Sequence, residues 1–368
     1  MPDRALTILQ LTHQGGGSGS TTIIANVSRQ LARRGHRVLV GCRPGTMLAQ
    51  LAWDAGLEVV ALDFHRLGPL ADALGETIAR EEVDVVNSNA TRDRRALTWL
   101  RLRRRLSLPF VVTRHTMPLT LPPELIVVGL SADRTVAVSH AVARALRRRL
   151  HPGARLRVVP NGIDCERIDT PPSEAELAAA RTALGDVAGR PIVLVLARRK
   201  DQHILLQALA ALERPVVVAC VGIEGDAELR AIERSMPPRH RVVYVPFTDR
   251  PFAFCRLAAL SALPSRIEGL SIALLETMAL GLPAVVSHAG GNPDVITSGT
   301  TGVLVPPLDP RAWADALARV LGDRAFAQRI ARAGRDLVRR EFSLERTAER
   351  TEAVYREAVE RRRALGAG

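Results

Sequence analysis

Lysine is almost absent from this chain. Of its 51 long cationic side chains only Lys200 is a lysine, and the rest are arginine. Aromatic residues are scarce at 3%, which argues against stacked-ring carbohydrate modules and aromatic platforms for single-stranded nucleic acid. The four cysteines, Cys42, Cys165, Cys220 and Cys255, lie far apart and form no CxxC pair. Neither a disulfide scaffold nor a zinc site is expected, and a reducing cytosol fits. No run approaches the roughly 18 consecutive apolar residues of a membrane span. The start, MPDRALTILQLTHQ, lacks the apolar stretch of a signal peptide, so the expected location is the cytoplasm.

What is present describes a large globular protein. The 368 residues are 47% hydrophobic and 24% charged, more than one core usually holds, so two domains are expected. A formal charge of +13 implies anionic partners. Short β-branched runs alternate with helix-like stretches: ALTILQL, HRVLVGC, LEVVAL, VDVVNS, PFVVTR, RTVAVS and RLRVVPNGID. After a linker-like stretch the alternation restarts with PIVLVL, PVVVAC, HRVVYV, LSALPS, PAVVSH and TGVLVP. Such alternation predicts an α/β class with two mostly parallel sheets. Residues 309–364 read as helical throughout.

Two loops carry the chemistry. HQGGGSGS (13–20) joins the first strand to the first helix, where glycine backbone amides can approach a phosphate or sugar oxygen. It fails as a dinucleotide fingerprint because Ser20 stands where the third glycine belongs, and it holds no lysine for a phosphate-binding GK[ST] loop. The second loop lies in ALPSRIEGLSIALLETMALG (262–281), with a helix expected from Leu270 to Leu280. The amides of Leu270 and Ser271 would open its first turn. Gly269 keeps bulk away from that turn, Glu268 precedes it, and Glu276 interrupts an otherwise apolar helical stretch, so it needs a partner.

Together these stretches resemble the retaining GT-B glycosyltransferases of family 4. The family's E-x7-E is matched by Glu268 and Glu276, its glycine-rich loop and LARRGH by residues 15–36, its last N-terminal strand and helix by VAVSHAVARALRR, and its crossing segment by VVPNGID. The resemblance runs over nearly the whole chain, in order. It implies a GT-B fold of two Rossmann-like domains facing across a cleft. Residues 1–165 would form the acceptor-side domain, 166–189 a linker and 190–342 the nucleotide-sugar domain. A helix over 343–368 would pack back on the first domain.

The resemblance also implies roles. Glu276 would hold the ribose, Glu268 the hydroxyls of the transferred sugar, and the amides of Leu270 and Ser271 the diphosphate beside Gly269. Arg198, Arg199 and Lys200 would neutralise the diphosphate, with Lys200 as a compact cation on the leaving group. His115 would position the donor sugar, and Gly16 and Gly17 would contact substrate. His13 is a weaker acceptor-side candidate. The family expectation is retention by front-side displacement, with an NDP-sugar as donor substrate, no metal and no other cofactor.

Two departures stand out. The family's G-R-L-x-x-x-K-G is shortened to ARRKD (197–201), with Ala197 and Asp201 in place of glycines, which leaves Arg198 or Arg199 as the diphosphate arginine. VVTRHT (111–116) differs from the family's VVTxHG, and Asn87 and Asn89 stand where histidines are common. A UDP-sugar 2-epimerase of the same shape and a non-catalytic glycan-binding relic are the alternatives.

Residues 90–109 hold seven arginines interleaved with leucines and Trp99. A helix with such a cationic face would contact an anionic membrane surface or an acidic glycolipid. The expected acceptor is therefore an acidic glycan or lipid-linked glycan, such as a lipopolysaccharide core or cell-envelope glycan. The protein would lie on the cytoplasmic face of the inner membrane. No nucleic-acid motif accompanies the charge.

Overall fold

The computed structural model describes residues 4–118 and 122–366. The ends of the expected first domain and terminal helix, 1–3 and 367–368, lie outside them. The chain divides into two compact units. One ends at Gly162 and takes up the chain again at Leu344, and the other is Ile163–Ser343.

The first unit is a seven-stranded sheet: β1 Thr7–Leu11, β2 Arg37–Cys42, β3 Glu58–Ala61, β4 Val85–Ser88, β5 Phe110–Arg114, β6 Arg134–Ala137 and β7 Leu156–Val158. All neighbours are parallel, in the order β3-β2-β1-β4-β5-β6-β7. Parallel strands are covered on both faces, which is why they read as unbroken β-branched runs rather than as alternating ones. Leu9, Leu39, Leu97, Phe110 and Val112 form the centre of this core. Helix Gly19–Arg33 begins at the N-cap Ser18, whose hydroxyl accepts from the Thr21 amide at 3.3 Å. A cap of this kind is worth about 1 kcal/mol.

The last helix, Leu344–Gly366, belongs to this first unit. Gln10 Nε2 donates to the buried Tyr355 hydroxyl at 2.8 Å. Arg34 pairs with Glu352 at 2.6 Å and Arg134 with Glu357 at 2.8 Å.

The second unit has six parallel strands: β8 Ile192–Leu196, β9 Val217–Val221, β10 Arg241–Val245, β11 Leu260–Leu263, β12 Ala284–Ser287 and β13 Val303–Val305. Their order is β10-β9-β8-β11-β12-β13. Trp313, fully buried, anchors helix Pro310–Gly322 against Val218, Val285 and Phe326. All thirteen strands expected from the sequence are present. Two helices, Cys165–Asp169 and Glu174–Leu184, fall largely within the expected linker, 166–189. Asp164 caps the first, and a Ser173–Glu176 capping box starts the second.

In both sheets the strand order reverses once, between β1 and β4 and between β8 and β11. Ligands of doubly wound sheets bind outside the carboxyl ends of strands at such a reversal.

Candidate functional site

In the second unit the loops that follow β8 and β11 flank the reversal. The first is Ala197–Asp201 and the second runs from Pro264 to Leu270. They bring together the residues singled out from the sequence. Lys200 Nζ lies 3.0 Å from Glu268 Oε1, with the lysine side chain 34% exposed and the glutamate 11%. An ion pair this close to solvent adds little stability, about 0–1 kcal/mol. It fixes where the ammonium stands.

The Lys200 loop is held from below. Gln202 is buried, accepts from the Lys200 amide at 2.6 Å and donates to the Arg198 carbonyl at 2.8 Å. Asp201 accepts from the Arg266 amide and from Arg266 Nε, each at 2.8 Å, tying the two loops together. The shortened loop thus uses Asp201, in a glycine's usual place, as a clasp. The two arginines differ. Arg199 pairs with Asp226 at 2.6 Å and also with Glu228. Arg198 is exposed, and its guanidinium has no hydrogen-bond partner among the described residues.

Helix Ile272–Ala279 starts two residues later than the sequence suggested, because the Ser271 hydroxyl acts as its N-cap and accepts from the Leu274 amide at 3.2 Å. The open first-turn donors of the helix are therefore Ile272 and Ala273, beside the Ser271 amide at the cap. Glu276 lies in this helix among Leu275, Thr277 and Met278. Burial pushes its carboxyl up to about 7, against the weaker opposing pull of Arg167. Arg167 Nη1 is 3.8 Å from its Oε1 and the guanidinium sits over the Phe252 ring.

Gly290 was not foreseen as a site residue. Its φ of +53° is left-handed, and a Cβ there would lie 2.0 Å from the Glu268 carbonyl oxygen. Glycine at this point of HAGGNPD (288–294) lets the loop after β12 press its backbone directly on the Glu268 segment. The only sequence signal was the double glycine after β12.

In the first unit, a chain of hydrogen bonds crosses the carboxyl ends of β1, β4 and β5. Asn87 Nδ2 donates to Gln10 Oε1 at 2.9 Å and Thr113 Oγ1 to Asn87 Oδ1 at 3.0 Å. Asn89 Nδ2 donates to Gln10 Oε1 and to the Leu11 carbonyl, both at 3.2 Å. The Asn89 oxygen can then only accept, so His115 Nε2, 2.9 Å away, carries the proton. Its Nδ1 has no partner among the described residues. Desolvation first, and then the neighbouring Arg114 charge, bring the His115 pKa down to about 4. The ring is neutral at physiological pH, with one lone pair open to accept a hydrogen bond. His13 is tied instead to the buried Asp93 at 3.2 Å.

A cavity of about 210 Å³ adjoins this chain, lined among others by Thr12, Gln14, Ser20, Arg94, Arg114 and His115. Gly16 is exposed and a Cβ there would meet nothing within 4 Å, while Gly17 is half-buried just before the Ser18 cap. The arginine-rich stretch is helical only in part. Helix Thr91–Leu102 ends before Arg103. Arg95 pairs with Glu124, Arg101 with Asp133 and Arg105 with Asp72. Arg92 donates to the Phe64 carbonyl, and Arg94 is buried. Arg94 and Arg101 are used inside the fold, while Arg92, Arg95, Arg103, Arg104 and Arg105 stay exposed.

Among the described residues no group of His, Cys, Asp and Glu is arranged to hold a metal ion. No helix among them is long and apolar enough to cross a membrane.

Two Rossmann-like units with these strand orders make the fold GT-B. The crystal structure of Anabaena Alr3699/HepE in complex with UDP has the same fold, with a TM-score of 0.82 at 21% identity, over 95% of this chain and 99% of that one. Residues 190–323 match the family described as glycosyl transferases group 1, and residues 17–167 match glycosyltransferase family 4. A D-inositol 3-phosphate glycosyltransferase from Xylanimonas cellulosilytica is 32% identical over 398 residues, covering 95% of this chain and 94% of that protein. A GDP-mannose-dependent alpha-(1-6)-phosphatidylinositol monomannoside mannosyltransferase from Mycolicibacterium smegmatis is 31% identical, over 56% of this chain and 58% of its own length. The chain belongs to this glycosyltransferase family, and it is an enzyme that takes its sugar from a nucleotide-sugar donor.

Proposed function

We propose a retaining, metal-independent transfer of a sugar to an acidic glycan or lipid-linked acceptor, in cell-envelope or lipopolysaccharide-core synthesis. The observation that carries it is the Lys200–Glu268 pair beside the Ser271 cap. A cation, a carboxylate and open amides at one sheet reversal suit a diphosphate joined to a sugar. Lys200, Arg198 and the amides of Ser271, Ile272 and Ala273 would take the diphosphate beside Gly269. Glu268 would accept from the sugar hydroxyls, and Glu276 from the ribose. His115 Nδ1 would accept from a substrate hydroxyl, and Gly16 and Gly17 would lie along the acceptor. In a front-side displacement the leaving phosphate oxygen takes the acceptor hydroxyl's proton, and the cations stabilise the charge that grows on it.

The acceptor assignment is supported by the formal charge of +13 and by relatives named for inositol 3-phosphate and phosphatidylinositol monomannoside. Peripheral contact with anionic lipid would rest on Arg103 and Arg104 next to the exposed Leu102. A screen of UDP-, GDP- and ADP-sugars tests the reading: one donor should release its NDP, with EDTA present throughout. Epimer formation without NDP release would favour the 2-epimerase, and stabilisation without turnover a binding relic. Activity that collapses on chelation and returns with Mg²⁺ would overturn the metal-free part.

Two further results are expected. Arg198→Ala should weaken NDP binding by roughly tenfold to a hundredfold, the worth of a charged hydrogen bond. Arg199→Ala should change it little, since that guanidinium is held by Asp226 and Glu228. Isothermal titration of both variants separates them, and the opposite ranking would make Arg199 the diphosphate ligand.

Glu276 makes binding pH-dependent. With its carboxyl near 7 in the free protein, it is protonated below that pH and becomes a full acceptor for a ribose diol above it. NDP affinity should therefore rise from pH 6 to pH 8, beyond the ionisation of the phosphate itself. Glu276→Gln should remove that excess. The same raised pKa means the carboxyl favours the folded state below its unfolded value and loses that contribution as pH rises through about 7. Glu276→Gln should thus gain thermal stability over wild type at pH 8 more than at pH 5. An equal Tm difference at both would show that the carboxyl titrates normally.

A further inference from the structure

We propose that Arg94 and Arg114 form a phosphate-binding subsite in the cavity of the first unit, so that the acceptor is a phosphate-bearing polyol or glycan. The inference rests on the transferase reading and gives its acceptor a chemical class.

Arg114, the last residue of β5, is 7% exposed, and Arg94 is 3% exposed. No hydrogen bond is made by the Arg114 side chain to any described residue, and its buried Nη1 is without a partner. Arg94 uses its Nη atoms on the Ala90 carbonyl and the Thr91 hydroxyl, each at 3.3 Å, but its Nε has none. Buried guanidinium groups ordinarily face a carboxylate. Arg134, buried in the same unit, does, with Glu357 at 2.8 Å, and so does the partly buried Arg101, with Asp133 at 3.0 Å.

The two nearby acids are already engaged. Asp93 accepts from the Ser88 hydroxyl, the Asn89 and Ala90 amides and the His13 amide. Glu124 takes both oxygens to Arg95, at 3.0 and 2.9 Å. Burial, then repulsion from Arg94, lowers the Arg114 pKa to about 9. Asp93 and Glu124 act on these two cations only from a distance, and neither guanidinium is hydrogen-bonded to a carboxylate among the described residues, so packing alone does not account for them.

What faces them suits an oxyanion. Thr12, Ser20, Thr91 and Thr116 line the same cavity with Arg94 and Arg114. Ser20 and Thr91 stand in the first turns of helices Gly19–Arg33 and Thr91–Leu102. Both turns add partial positive charge. At about 210 Å³ the cavity has room for a phosphoryl group and part of the ring that bears it. The +13 charge thereby gains one specific destination.

The test is thermal unfolding of the full chain titrated with inorganic phosphate, with formate as a carboxylate probe. Wild type and Lys200→Ala should both rise in Tm and saturate, with phosphate well ahead of formate. Arg114→Met should show no rise with phosphate, keep its stabilisation by the NDP, and unfold at a higher temperature than wild type in the absence of anions. Arg94→Met serves the same purpose if Arg114→Met does not fold. An unchanged phosphate response in the methionine variants would overturn the proposal, as would a response lost only with Lys200 or one equalled by formate. A phosphate response without any NDP release from donors would instead leave the subsite standing and remove the transferase reading.

Discussion

Alanine at position 200 is expected to lower turnover about a hundredfold or more, the usual cost of removing one preorganised donor to a developing negative charge. Folding should be intact, since the ion pair it breaks is one-third exposed on the lysine side. Lys200→Arg is the sharper variant. Arginine is this chain's habit everywhere else, and charge would be conserved. The ammonium, however, stands 3.0 Å from Glu268 on a loop clasped by Gln202 and Asp201. A longer, planar fork cannot occupy that point. A loss of about tenfold in kcat, with KM for the donor less affected, is expected because the leaving group's charge is largest in the transition state. Unchanged kinetics at saturating donor would mean that Lys200 is merely a solvated charge.

Gly290→Ala should be nearly as costly, from a residue that touches no substrate in the proposal. The added methyl would lie 2.0 Å from the Glu268 carbonyl oxygen and 2.9 Å from its amide nitrogen. Both neighbours are backbone, so the Glu268 segment must move. A displacement near 1 Å at a group that positions substrate costs about a hundredfold in rate. Nucleotide affinity should fall much less, because the atoms nearest the added methyl belong to Glu268 and not to the helix that carries Glu276. Measuring kcat beside the Kd of the NDP separates the two effects. Equal losses in both would show that the whole unit, and not the Glu268 loop, had been disturbed.

Strand positions were legible because a parallel strand covered on both faces must be apolar along its length, as in PIVLVL and PVVVAC. That Glu268 precedes and Glu276 lies within one helix start was legible for a related reason: a strand end, a glycine and a helix start in one short stretch leave few geometries. Partnerships between distant residues were not. Nothing local in VLARRKD says that Arg199 turns to Asp226 and Glu228 while Arg198 stays open. Nor does TRDRRALTWLRLRRR say that Arg101 is spent on Asp133 while Arg92, Arg95, Arg103, Arg104 and Arg105 stay exposed. The Ser271 cap shifted the helix start by two residues because a serine hydroxyl competes for that turn more strongly than Leu270 or Gly269 can.

The final helix has a consequence for the order in which the chain matures during synthesis. The first sheet is complete in sequence at Val158, yet Tyr355, which covers Gln10 at its centre, is made only after the whole second unit. The second unit ends at Ser343 and has every residue of its core before then. On the ribosome, where domains generally fold as units while the chain emerges, the later unit can therefore finish first. Until the last helix leaves the ribosome, the earlier unit waits with the buried amides of Gln10 and Asn87 uncovered, as a client for chaperones rather than a finished domain.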